Sequence, residues 1–179
     1  MSFCILQEET SMWYVVQVQT GTEEKIKAQC IRMIDGEILE QCFIPSYEEK
    51  KRYRGTWHTG KRTLFPGYVF MVSGRLDDLY KELKKVIGLT KLLGTGEEIV
   101  PLSEAETTLL ERIGAGERPL EISTGLIENG AVIVTEGPLR GMEGCIRRID
   151  RHKRKAWLEI DMFGRTMEME VGLEIIEKK

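Results

Sequence analysis

The side chains best suited to chemistry lie in two short cationic stretches. Residues 147–155, RRIDRHKRK, carry Arg147, Arg148, Arg151, Lys153, Arg154 and Lys155 against Asp150, in a chain whose formal net charge is −3. Guanidinium groups clamp phosphates through paired N–H donors, and each neutralised phosphate releases counterions. His152 adds a flat ring able to stack on a base, and Arg140 lies on the turn just before. A nucleic-acid backbone fits this composition, although a merely solvated turn has the same charges. The second stretch, residues 48–62 (EEKKRYRGTWHTGKR), interleaves Lys50, Lys51, Arg52, Arg54, Lys61 and Arg62 with Tyr53 and Trp57. Its glycines, Gly55 and Gly60, suit a protruding β-hairpin. Phosphate contact and base stacking fit it as well as plain solvation does.

Catalysis is not expected. The chain has no nucleophile elbow and no phosphate loop, and neither His58 nor His152 has an orienting partner in sequence. Cys4, Cys30, Cys42 and Cys145 are scattered without a CxxC pair, so no metal or cofactor is expected, and the thiols read as reduced. At 179 residues, 41% hydrophobic and 31% charged, the composition is that of a globular protein with a charged surface. No apolar run approaches the roughly 20 residues of a membrane helix, and residues 1–11 lack the cationic flank of a secretory signal. These features predict a cytoplasmic protein with no membrane partner. No self-complementary apolar patch is evident, which predicts a monomer. Either Met1 or Met12 could be the natural start.

Several elements must position the cationic stretches. Trp13 to Val18 is β-branched and aromatic, as strands are. Thr22 is placed to cap a helix with Glu23 and Glu24 in its first turn and Ile26, Cys30, Met33 and Ile34 on one face. Gln41 to Pro45 and Leu64 to Val72 read as further strands. Leu76, Leu79, Tyr80 and Leu83 give a second amphipathic helix. Short strands are expected over Gly88–Leu93 and Glu97–Val100. Ser103 and Glu106 form a capping box opening a last helix through Leu109, Leu110 and Ile113.

The predicted fold class is α+β. Split βαβ units form an antiparallel sheet with helices on one face, followed by a small all-β barrel. The predicted organisation is an N-terminal tail over 1–11, a first domain over 12–113, a flexible linker over 114–127 and a second domain over 128–179. The linker reading rests on Gly114, Gly116, Pro119, Ser123 and Gly125, where apolar periodicity stops. In the second domain, Glu128-Asn129-Gly130 turns, Cys145, Ile146 and Ile149 alternate with Arg147 and Arg148, and Ala156 to Ile160 returns past the basic tip.

Motifs in both halves resemble one family. Val132-Ile133-Val134, Gly137-Pro138-Leu139, Gly141, Gly144 and Met162-Phe163-Gly164-Arg165 are similar to the KOW module of NusG-type transcription elongation factors. Trp13 to Gln17, Gly21-Thr22-Glu23, Phe65 to Phe70 (FPGYVF), Val86 to Gly94 and Pro101-Leu102-Ser103 are similar to the NusG N-terminal domain. The resemblance covers residues 12–178. It implies that the barrel is SH3-like and that the chain is a transcription factor acting on RNA polymerase.

By the same resemblance, the N-terminal domain docks on the clamp helices of the largest polymerase subunit through aromatics at Trp13, Tyr14, Phe65, Tyr68 and Phe70. Lys84 and Lys85 then lie near the non-template DNA strand. The barrel edge, with Leu139, Met162 and Phe163, faces a partner protein, either ribosomal protein S10 or the termination factor Rho. Leu139 stands where phenylalanine is usual, which alters that edge. The basic tip exceeds the family pattern. It predicts that the barrel binds a nascent RNA hairpin through Arg140, Arg147, Arg148, Arg151, His152, Lys153, Arg154 and Lys155.

The whole is closest in kind to specialised NusG paralogs, processive antiterminators of the LoaP type that act on selected operons. A general NusG working with Rho or S10 is the alternative. A KOW-containing ribosome-associated RNA binder accounts for the barrel but not for the first domain. Replacing Lys84 and Lys85 by alanine is expected to weaken crosslinking of the chain to the non-template strand in a reconstituted elongation complex. Unchanged crosslinking would remove that assignment.

Overall fold

The computed structural model describes residues 10–92, 101–113, 116 and 118–179. The chain divides into two compact units, one formed by residues 1–43 and 67–102, the other by residues 44–66 and 103–179. Residues 1–9 of the tail expected over 1–11, and the expected strand over 97–100, lie outside the described residues. Among the described residues, no helix is long and apolar enough to cross a membrane.

The first unit is built on strands β1 (Met12–Val18), β2 (Gln41–Phe43), β5 (Tyr68–Ser73) and β6 (Leu89–Leu92), with helices α1 (Glu23–Met33) and α2 (Leu76–Leu83). The sheet runs β2-β5-β1-β6 and every pairing is antiparallel. Helix α1 does not use Thr22 as its side-chain cap; the Thr22 hydroxyl donates to the Gln19 carbonyl instead. The acid beside it takes over. Glu23 is 6% exposed, and its carboxylate accepts N–H bonds from Gly21 (2.8 Å) and Gly67 (2.7 Å). The glutamate of the helix opening thereby fastens the glycine turn that starts β5. Two residues placed on apolar faces by spacing alone, Met33 and Tyr80, are instead exposed at 40% and 42%. For Tyr80 the reason is visible, because the Lys84 ammonium lies 4.4 Å from its ring centroid and gives it a surface partner.

The second unit contains the hairpin β3 (Ser46–Tyr53) and β4 (Thr56–Thr63), helix α3 (Glu104–Arg112), and strands β7 (Ser123–Glu128), β8 (Ala131–Glu136), β9 (Ile146–Asp150), β10 (Lys155–Met162) and β11 (Arg165–Lys178). Its main sheet runs β8-β7-β11-β10-β9. The β7–β11 pairing is parallel and the rest are antiparallel. Strand β7 begins at Ser123, inside the stretch expected as linker to residue 127. Two of the small residues that suggested a linker, Ser123 and Gly125, are there for close approach. A Cβ on Gly125 would lie 2.6 Å from the Ile133 carbonyl oxygen. Ser123 is fully buried, and its hydroxyl accepts the Leu139 N–H at 3.1 Å. Three two-residue turns have both central residues at positive φ: Arg54-Gly55, Asn129-Gly130 and Phe163-Gly164. This is the tight hairpin turn that matches strand twist. Asparagine tolerates the left-handed region well, whereas phenylalanine at φ 56° costs about 1 kcal/mol there.

The β3–β4 arm does not stand free. Leu120 bridges β3, donating to the Ser46 carbonyl (2.7 Å) and accepting from the Glu48 N–H (2.8 Å). Gly172 of β11 opens the space for this approach, since a Cβ there would lie 2.8 Å from the Glu48 carbonyl oxygen. Beneath the arm, Lys155 is only 8% exposed. Its ammonium lies 3.0 Å from Glu49 Oε2 and bonds Glu170, which also accepts the Tyr47 hydroxyl at 2.7 Å. Arg62 flanks both carboxylates at 3.6 Å, and Lys51 pairs with Glu49 at 2.8 Å. Burial by itself raises the pKa of each glutamate. The hydrogen bonds and charges of Lys51 and Lys155 on Glu49, and of Lys155, Tyr47 and Arg62 on Glu170, outweigh it and hold both below the usual value.

Two features of the second unit carry testable outcomes, the buried ion cluster and Gly137. Because the folded pKa values of Glu49 and Glu170 are depressed, their stabilisation is complete above the ordinary glutamate pKa and is lost as pH falls through the lowered values. The urea midpoint is expected to drop between about pH 5 and pH 3, and to drop less in Glu49→Gln. At neutral pH, Lys155→Met removes the buried ammonium between Glu49 and Glu170, leaving Glu49 only its exposed partners Lys51 and Arg62, and is expected to cost about 3 kcal/mol, with part recovered in the double variant Lys155→Met/Glu49→Leu. Gly137, at φ +101° with a would-be Cβ 2.7 Å from Ser123 Cα, supplies the second. Gly137→Ala is expected to destabilise the unit by roughly 2 kcal/mol or more, read from Trp157 fluorescence in a chain with Trp13 and Trp57 replaced by phenylalanine.

Candidate nucleic-acid and protein interfaces

In the first unit, strand register sorts the aromatics onto two faces. Trp13 pairs with Val72, Val15 with Phe70, Gln17 with Tyr68, and Phe43 with Phe70. Directly paired residues share a face, so Trp13, Phe43, Tyr68 and Phe70 stand together. Their rings make a row: Trp13 meets Phe43 edge-on at 5.2 Å, and Phe43 stacks on Phe70 at 5.5 Å. Tyr14 pairs with Met71 and belongs to the opposite face, with Cys42. Cys42 faces Cys30 of α1, the two thiols sharing a hydrogen bond, which marks that side as the helix-covered one. Burial raises the Tyr14 phenol above its ordinary pKa, as suits a core tyrosine. Phe43, absent from the sequence reading, joins the row. Its signal was available, since a three-residue strand beside FPGYVF pairs its phenylalanine with Phe70. Phe65 belongs to the second unit, where it meets Phe163 edge-on at 6.1 Å. Tyr68 and Phe70 are buried, and Trp13 is the member of the row that keeps accessible area.

Lys84 and Lys85 follow the last turn of α2. Lys84 lies over Tyr80, and Lys85 pairs with Glu82 at 2.8 Å. Ile87, next along the chain, is 81% exposed.

In the second unit, Leu139 and Met162 are buried in the core, so of the expected protein-binding edge only Phe163 offers surface. Glu106 holds that turn. One of its carboxylate oxygens completes the α3 capping box with Ser103, and the other accepts the Phe163 N–H at 2.7 Å. At the far end of α3, Arg112 donates to the Arg140 carbonyl at 2.7 Å.

The cations of the β9–β10 turn have different fates. Arg151, His152 and Lys153 are exposed, and Asp150 is held below the usual carboxylate range chiefly by the Lys153 N–H at 2.9 Å. Arg148 lies 3.8 Å from the Trp157 ring centroid. Arg147 donates to the Gly144 carbonyl and approaches Glu159 at 3.6 Å. Lys155 is committed to the buried ion cluster, so it is not a free phosphate ligand. Arg154 turns toward the arm, pairing with Glu174 (3.2 Å) and stacking 4.0 Å from the Trp57 ring centroid. Lys50 of the arm also reaches Glu174, at 3.2 Å. The two cationic stretches, about a hundred residues apart in sequence, thus meet at Arg154 and Trp57. Among the described residues, no group of histidine, cysteine and carboxylate side chains could hold a metal ion.

Comparison with known proteins agrees with this architecture. A family model described as "Transcription termination factor nusG" matches residues 11–111, more than half of the chain. The transcription termination/antitermination protein NusG of Bacillus subtilis is 31% identical over 174 residues, covering 93% of this chain and 97% of that protein. The same-named protein of Halalkalibacterium halodurans is 31% identical over 175 residues, with 93% and 97% covered. Among solved structures, one described as domain interaction in Thermotoga maritima NusG shares the fold, with a TM-score of 0.62 at 24% identity over 93% of this chain and 94% of that one. The chain belongs to the NusG family of transcription termination/antitermination proteins, which are not enzymes.

Proposed function

We propose that this NusG-family chain binds RNA polymerase through its first domain and suppresses pausing or termination at selected operons, while its KOW barrel contacts structured RNA in the nascent transcript. The observation that carries this reading is the exposed basic turn Arg151-His152-Lys153, flanked by Arg148 on Trp157. Such a cluster on an otherwise acidic chain answers to a polyanion, and phosphate contacts supply most of the affinity in such complexes.

The polymerase contact rests on the aromatic row of Trp13, Phe43 and Phe70, on the sheet face away from α1. Large rigid aromatics anchor an interface at low entropic cost, and Trp13 offers the accessible part. Clamp helices of the largest polymerase subunit are the partner the family implies, and Lys84 and Lys85 then lie near the non-template strand. Stronger binding to the elongating than to the paused polymerase suppresses pausing by shifting that equilibrium. Action on the transcription complex places the protein in the cytoplasm, on the nucleoid.

A general role on most genes with Rho or S10 is the second reading. The half-exposed Phe163 turn favours it, because that is the part of the barrel edge offered to a protein. Genome-wide occupancy compared with RNA polymerase separates the two. Occupancy confined to a few long operons is expected, and occupancy that follows polymerase everywhere would overturn selectivity.

A further inference from the structure

We infer that the β3–β4 arm and the β9–β10 turn form one RNA-binding surface, with Trp57 of the arm supplying a stacking ring for an unpaired base and the turn supplying phosphate contacts. This rests on the reading that the barrel binds RNA and extends it to a segment far away in sequence.

Trp57 is 37% exposed and pairs with Arg52, while Tyr53, 62% exposed, pairs with Thr56 and so lies on the other face of the hairpin, beside its Arg54-Gly55 tip. Arg54 lies 5.2 Å from the Tyr53 ring centroid, and His58 meets the same ring at 6.3 Å. These are flat, cation-flanked rings presented to solvent, the form in which proteins stack single-stranded bases. Arg154 joins Trp57 to the barrel, its guanidinium 4.0 Å from that ring centroid while Glu174 fixes its other side. Beyond this junction, Arg52 and Lys61 on the arm and Arg151 and Lys153 on the turn make no ion pair among the described residues. Their charge is available to phosphates. Lys155, Glu49, Glu170 and Tyr47 lie below and fix the arm against the barrel, so the ring and the cations are preorganised rather than gathered on binding.

An RNA with loop bases beside a paired stem fits this layout better than an acidic protein does. Protein interfaces centre on a dehydrated apolar core. Here the exposed large apolar side chains of the arm are the two aromatic rings, each with a cation against it.

The test titrates the full chain with a fluorescently labelled RNA stem–loop and, separately, with the same stem as a blunt duplex. Trp57→Ala is expected to weaken stem–loop binding about tenfold and leave duplex binding unchanged, with Trp57→Phe restoring most of the loss and Tyr53→Ala, on the other face of the arm, changing neither. Arg151→Ala/Lys153→Ala is expected to weaken both RNAs and to lower the salt dependence by about two counterions. Loss in the turn variant with none in Trp57→Ala would overturn the shared surface while leaving the barrel as the RNA site. No loss in any variant would overturn both. Displacement of the stem–loop by polyglutamate of equal charge would also overturn it, reducing the surface to a general polyanion patch.

Discussion

The second unit depends on one buried ammonium. Lys155 stands at the start of β10, 8% exposed, between a carboxylate from the arm and one from the barrel. Removing a charge from water costs several kcal/mol, and only close, hydrogen-bonded partners repay it. Glu170 meets that condition with two donors, Lys155 and the Tyr47 hydroxyl. Glu49 is held by Lys51 and Lys155, whose ammonium groups lie 2.8 and 3.0 Å away. The arrangement ties residues far apart in the chain into one body. Without it, the β3–β4 pair would be an isolated two-stranded ribbon, which is marginally stable in water.

Functional consequences follow from that tie. A free arm would sample many orientations and pay ordering entropy on contact with a ligand. Clasped, it holds Trp57 against Arg154, next in the chain to the exposed Arg151–Lys153 turn. Helix α3 treats the opposite edge of the barrel similarly, since Glu106 both caps its own helix and holds the Phe163 turn. The first unit repeats the device at smaller scale, with Glu23 joining the opening of α1 to the glycine turn before β5. At Glu23 and Glu106 a carboxylate in the first turn of a helix also fastens a second element.

Much of this was legible in the sequence. Alternation and β-branched composition located β1 and β5, Ser103 with Glu106 marked the start of α3, and Asn129-Gly130 marked the first barrel hairpin. The family motifs led to the α+β class and the KOW barrel. Local pattern failed where distant partners decide. Lys155 reads as one more cation in a basic run, and only its pairing with residues of β3 and β11 buries it. Ser123 and Gly125 look like linker because small residues serve both flexible chains and tight sheet packing. Gly172 carries no local sign that the Glu48 backbone crosses it. Among the aromatics, alternation could separate Tyr14 from Trp13, but Phe65 could be assigned to the other unit only from the structure.

Native-state amide hydrogen exchange at Glu48 and Leu120 tests the central claim most directly, because these two N–H groups make backbone bonds between the arm and the rest of the second unit. If the arm is clasped, both amides exchange with opening free energies close to those of β10 and β11, and both lose protection in Lys155→Met. Exchange at the rates of an open loop, while β10 and β11 remain protected, would contradict it and return the arm to solution as an independent hairpin.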